Sequence, residues 1–155
     1  MGRASIKENK SIYQKAREDL KLTRAQASEL LTGITETRLE KIESGKYPIH
    51  PEEVLLMADK YKRPQLCNYY CSNECPIGQQ YVPQIEIKDL PTITLEMLNT
   101  INNLNEQKNR LVEITVDGKI TSDEAQDFAK IKANLDDMSM SIDSLKLWLE
   151  EQMNK

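Results

Sequence analysis

Residues 22–45 read LTRAQASELLTGITETRLEKIESG, and this stretch decides the fold of the first half of the chain. It divides into two short helices with a tight turn between them. Thr23 is a good N-cap, because its hydroxyl can accept one of the orphan backbone N–H groups at a helix start. Ala27, Leu30 and Leu31 then supply one apolar helical face. Gly33 falls where the chain must turn sharply, a place that favours a residue free to take positive φ. Thr35 caps a second helix in which Leu39 and Ile42 point to the core, and Gly45 closes it as the C′ residue.

Working outward, Ile12 to Leu20 reads as a preceding helix, and Pro51, an N1-type proline after His50, opens a fourth that runs to Tyr61. Val54, Leu55, Ala58 and Tyr61 are expected to form its buried face, and Pro64 to follow its end. Over residues 11–63 this pattern resembles the phage-repressor-like helix-turn-helix family, the XRE or Cro/C1 type. The run Ile42, Glu43, Ser44, Gly45 is its most specific part. The resemblance implies a lambda-repressor-like bundle that reads double-stranded DNA with its third helix. Glu36, Thr37, Arg38 and Lys41 would face the major groove, with Ser44 and Lys46 near the backbone. Arg38 is the residue for bidentate readout of guanine, while Arg24 and Gln26 would hold phosphates or set register. The turn Leu31-Thr32-Gly33 runs one residue longer than is usual in the family, and Glu36 and Glu40 bring negative charge to the approach face.

Composition agrees with a helical protein. Leu, Glu, Lys, Ile and Ala abound, glycines number five, and no stretch of about 18 apolar residues suggests a membrane span. No apolar signal-peptide core opens the chain, and three clustered cysteines do not form an extracellular disulfide frame, so a cytoplasmic location is expected. The net charge of −4 conceals an asymmetry. Residues 1–63 carry 13 Lys/Arg against 10 Asp/Glu, whereas residues 64–155 carry 8 against 15, so the field that favours phosphate lies on the helix-turn-helix half.

Three domains are expected: 1–63 for DNA, 64–93 as a Cys/Tyr-rich segment and linker, and 94–155 as a helical hairpin. Within the linker, Pro83 and Pro91 and the brief alternation of Val82, Ile85 and Ile87 predict an extended stretch or a short strand. Thr94 is expected to cap a helix that runs to Val116, Asp117-Gly118 to break it, and Thr121 or Ser122 to start the last helix. That helix carries Phe128, Ile131, Leu135, Met138, Ile142, Leu145 and Leu149 in 3-4 alternation, and its partner offers Met97, Ile101, Leu104 and Leu111. This predicts an antiparallel coiled-coil hairpin that needs a second copy to bury enough surface, hence a homodimer. A two-fold dimer suits paired half-sites on DNA.

Cys67, Cys71 and Cys75 make the spacing C-x3-C-x3-C, closed by Pro76. Thiolate clusters select zinc or iron–sulfur centres. On one straight helix, however, positions 67 and 75 lie about 12 Å apart, so a shared metal requires the chain to leave the helix after Cys71. The alternative is three small buried thiols beside Leu66, Tyr69 and Tyr70. The block CNYYCSNECPIGQQYVP, residues 67–83, also resembles that of small regulators of Gram-positive bacteria that join a helix-turn-helix to a helical tail. Nothing pairs a nucleophile with a base and there is no phosphate loop, so no enzyme is expected. The reading is an all-α transcriptional regulator. A protein-interaction module without DNA binding, or a metal- or redox-responsive regulator using the cysteines, are the alternatives.

Overall fold

The computed structural model describes residues 9–116 and 118–153, and every regular element among them is an α-helix. The helices are α1 (Ile12–Asp19), α2 (Arg24–Leu30), α3 (Glu36–Glu43), α4 (Pro51–Tyr61), α5 (Gln65–Asn73), α6 (Gly78–Tyr81), α7 (Leu90–Thr115) and α8 (Ala125–Met153). They fall into two compact units, the first taking in the chain up to Gln84 and again from Glu151, the second spanning Ile85–Glu150.

In the first unit, side chains set the helix starts. Ser11, Thr23 and Thr35 each accept from the backbone N–H three residues on, all at 3.2 Å. The Gln26 carboxamide oxygen returns a bond to the Thr23 N–H at 2.9 Å, completing a capping box. The end of α3 is closed by two reversed bonds, Gly45 N–H to the Ile42 carbonyl at 3.0 Å and Lys46 N–H to the Lys41 carbonyl at 3.1 Å. This Schellman arrangement requires the left-handed φ of +69° that Gly45 adopts. Gly33 takes φ +102° in the turn before it.

The core of this unit is drawn from α1 to α5: Tyr13, Ala16, Ala27, Leu31, Leu39, Ile42, Val54, Met57, Tyr61 and Leu66 are all buried. On α4 the buried positions are Val54, Met57, Ala58 and Tyr61, whereas Leu55, expected inward, is 62% exposed. The rhythm i, i+3, i+4, i+7 from Val54 defines the face, and Leu55 lies about 100° away from it. The Cys/Tyr-rich segment is not a separate linker. Leu66 is completely buried, and Cys67, Tyr69 and Tyr70 pack on the same core, so the first unit passes beyond residue 63. Of the extended stretch or short strand expected around Val82, Ile85 and Ile87, no strand is present among the described residues, and a short helix, α6, occupies Gly78–Tyr81 just before a non-helical stretch.

The second unit contains α7 and α8. Asp89, not Thr94, caps α7 by accepting from the Thr92 N–H at 3.1 Å, with Pro91 in the first turn. Proline is tolerated there because its missing N–H would have had no helical partner. Asp117 lies outside the described residues. Gln107 accepts from the Asn134 carboxamide at 2.8 Å, and Arg110 donates to Asp127 at 2.9 Å. Ile93, Thr100 and Ile114 of α7 are buried, with Ile131, Ser141 and Ser144 of α8. Of the expected α8 seam, Ile131 is inside, but Leu135, Ile142 and Leu149 remain 47%, 38% and 47% exposed. A single helix–helix contact covers only a narrow strip, and a 3.6-residue helix drifts about 20° per heptad away from a strict seam.

Candidate nucleic-acid interface

The third helix is held from one side by a buried charge cluster. Arg17 of α1 donates through Nε to Glu43 Oε1 at 2.6 Å and through Nη2 to Oε2 at 2.9 Å. Arg24, the first residue of α2, donates to the same Oε2 at 2.8 Å. Arg17 also caps the Leu22 carbonyl at 2.6 Å. The Glu43 side chain is 1% exposed and that of Arg17 7%, so α1, α2 and α3 converge on one desolvated carboxylate. The bond to Glu43 holds the Arg17 guanidinium even further into its charged range. Beside it, burial and the negative charge of Glu43 push the Tyr61 phenol well above its ordinary value.

From the other side, Arg38 is engaged by α4. Its Nε and Nη2 meet the two oxygens of Glu53 at 2.7 Å and 2.6 Å, and Nη2 also donates to the Pro48 carbonyl at 2.9 Å. Glu53 in turn accepts from the His50 N–H at 2.8 Å. The fork expected to read guanine is thus paired with a carboxylate of its own chain. Arg24 is likewise paired with Glu43 while its side chain stays 34% exposed.

The Arg38 guanidinium, then burial working against it, then the His50 N–H set the Glu53 carboxyl, which lies below the usual carboxylate range. A depressed acid contributes stability above its unfolded pKa, about 4.3, that disappears as the pH falls through the lower folded value. Glu53→Gln is expected to lower unfolding stability by about 1 kcal/mol at neutral pH, a figure kept small by partial exposure of the pair. In urea titrations the difference from the parent chain should shrink as the pH falls from 7 to 3. A constant difference across that range would mean the pair contributes nothing through its charge.

The remaining residues expected to meet DNA are on the outside. Glu36, Thr37, Glu40, Lys41 and Ser44 are exposed along α3, while Leu39, Ile42 and Glu43 are buried behind them. Ser44 donates to the Lys41 carbonyl at 3.2 Å, and the Lys41 ammonium lies 4.9 Å from the centre of the Tyr47 ring. Lys46 and Gln26 are exposed. The outer face of α3 therefore carries two carboxylates against one ammonium.

The cysteines do not converge. Cys67 and Cys71 stand on α5, and Cys75 lies past its end, where its sulfur accepts from the Gly78 N–H at 3.4 Å. Among the described residues no group of three His, Cys, Asp or Glu side chains is placed to hold a metal ion. All three thiols are half-buried and free of disulfides. Comparison with protein families, with curated proteins and with solved structures finds no match to this chain. No helix among the described residues is long and apolar enough to cross a membrane.

The role of Glu43 was not assigned from sequence alone. Its place beside Ile42 in the Ile-Glu-Ser-Gly run was the only signal, and nothing in that spacing names partners 19 and 26 residues away.

Proposed function

We propose that the first unit is a lambda-repressor-like helix-turn-helix module and that the protein is a sequence-specific DNA-binding transcriptional regulator acting as a dimer. The observation that carries the reading is the solvent-facing side of α3. A capped helix, locked by Glu43 on one side and by Arg38–Glu53 on the other, leaves Thr37, Lys41 and Ser44 exposed among the described residues. A rigid rod of this kind suits insertion into a major groove. With Arg38 held by Glu53, base contact falls to Thr37, Glu36 and Gln26, and a carboxylate such as Glu36 can accept from a cytosine amino group. Lys41 and Lys46 supply the phosphate contacts.

The second unit is the dimerisation element in this reading, an antiparallel hairpin. Leu135, Ile142 and Leu149 recur every seven residues on its exposed side, with Leu98 and Ile101 of α7 also exposed. A second copy would cover that stripe and align two reading helices for half-sites related by a two-fold axis. A specific observation favours a second reading, in which α3 binds another protein: Glu36 and Glu40 repel phosphate.

One set of titrations separates them. Genomic fragments retained by the purified protein should be bound with an affinity that falls steeply with salt, and replacing Lys41 and Lys46 by Ala should reduce the log–log salt slope by about 2. Leu135→Lys with Ile142→Lys should halve the mass by light scattering and weaken binding to paired half-sites. Failure to retain any fragment at low salt would hand the function to the protein-interaction reading.

A further inference from the structure

The first unit contains a cavity of about 450 Å³. It lies between α1, the end of α3, the 46–50 loop and α5, and its volume is within the usual range for small-molecule sites. Three aromatic rings line it, Tyr13, Tyr47 and Tyr69, with Ile42 and Ile49 among the apolar walls. Tyr13 and Tyr69 meet edge to face, their centroids 6.1 Å apart with the planes at 85°. One charged side chain is present among the described residues of the lining, the carboxylate of Glu74, which accepts from the Tyr13 hydroxyl at 2.9 Å.

We propose that this cavity binds a small organic cation with an apolar body, of the quaternary or aromatic ammonium class. Phenol rings present negative π-faces that attract a poorly hydrated cation, and a carboxylate at the edge of such a cluster adds the matching charge. The walls exclude the other ligand classes. A phosphate or carboxylate would meet Glu74 with no guanidinium or ammonium among the described lining residues, and a sugar would leave its hydroxyls against isoleucine and proline. The chain already uses one of these rings in this way, since the Lys41 ammonium lies 4.9 Å from the Tyr47 centroid. The hydroxyl bond from Tyr13 fixes the carboxylate, so the charged group is oriented before a ligand arrives. The inference rests on this cavity alone and stands whether or not α3 reads DNA.

The test is a titration of the full chain with benzyltrimethylammonium, followed by backbone amide chemical shifts. Saturable shifts centred on Tyr13, Tyr47, Ile49 and Tyr69 are expected, with a dissociation constant in the low millimolar range fitting a probe of this size. Benzenesulfonate, with the same ring and the opposite charge, should produce none. Glu74→Gln keeps an acceptor for Tyr13 and removes only the charge, and it should weaken the probe about tenfold. Tyr47→Leu, at a position 55% exposed and therefore tolerant of change, should weaken it about fivefold. Non-saturating shifts, equal binding of the sulfonate, or unchanged affinity in both variants would overturn the proposal. Should Glu74→Gln disturb the fold, the Tyr47 variant and the sulfonate decide the matter by themselves.

Discussion

Glu43→Leu is expected to destabilise the first unit by about 3–5 kcal/mol, enough to unfold much of it at 37 °C in a domain of ordinary stability. The carboxylate is 1% exposed and accepts from Arg17 twice and from Arg24 once, so its removal leaves the Arg17 guanidinium in a desolvated site with only the Glu18 carboxylate at 3.8 Å and the Leu22 carbonyl to face it. Arg24, 34% exposed, can turn to water, whereas Arg17 cannot. The loss should therefore reflect a poorly compensated buried charge more than the missing attraction. A second substitution separates the two. Arg17→Met combined with Glu43→Leu removes both charges, and it should recover more than half of the stability lost by the single change. Thermal and urea unfolding by circular dichroism read both variants. A single variant within about 1 kcal/mol of the parent chain would show that the cluster does not hold the three helices together.

Gly78→Ala is expected to destabilise the same unit by about 3 kcal/mol through overpacking. A Cβ built on Gly78 would lie 2.6 Å from the Cys71 carbonyl carbon and 2.9 Å from its Cα, overlapping the carbonyl oxygen as well. These are backbone atoms in the last turn of α5, so no side chain can move aside, and α6 must lift from α5. The amides of Gln79 and Val82, which donate to Cys75 and Gly78 at 2.9 Å and 2.7 Å, should then exchange faster. Gly118→Ala serves as the contrast. That position has nothing within 4 Å and a φ of +69°, so only the left-handed backbone opposes a side chain, at about 1 kcal/mol. Equal effects at the two positions would mean that the α5–α6 approach is not what selects glycine at residue 78.

These two residues show where reading the chain in one dimension stops. The starts of α2 and α3 at Thr23 and Thr35, the positive φ at Gly33 and Gly45, and the opening of α4 at Pro51 were all legible, because a cap or a turn is settled by atoms within about four residues. The same local logic misplaced the start of α7, where Asp89 competes with Thr94 and wins by admitting Pro91 to the first turn. Of the candidate interface, the exposure of Glu36, Thr37, Lys41 and Ser44 followed from the 3.6-residue repeat once Leu39 and Ile42 were placed inward.

What the chain determined by itself is therefore an all-α protein, the caps of α2 and α3, the start of α4 and the inner and outer faces of α3. Only the tertiary structure decided that Arg38 closes on Glu53, 15 residues away, and that Glu43 is a buried charge shared by three helices. It also decided that α5 belongs to the first unit and that Leu135, Ile142 and Leu149 of the α8 stripe stay exposed. The physical reason is the same each time. Caps and periodicity are local, whereas the partner of a long charged side chain, the depth of a carboxylate and the covering of an apolar stripe depend on which distant segments the fold brings alongside.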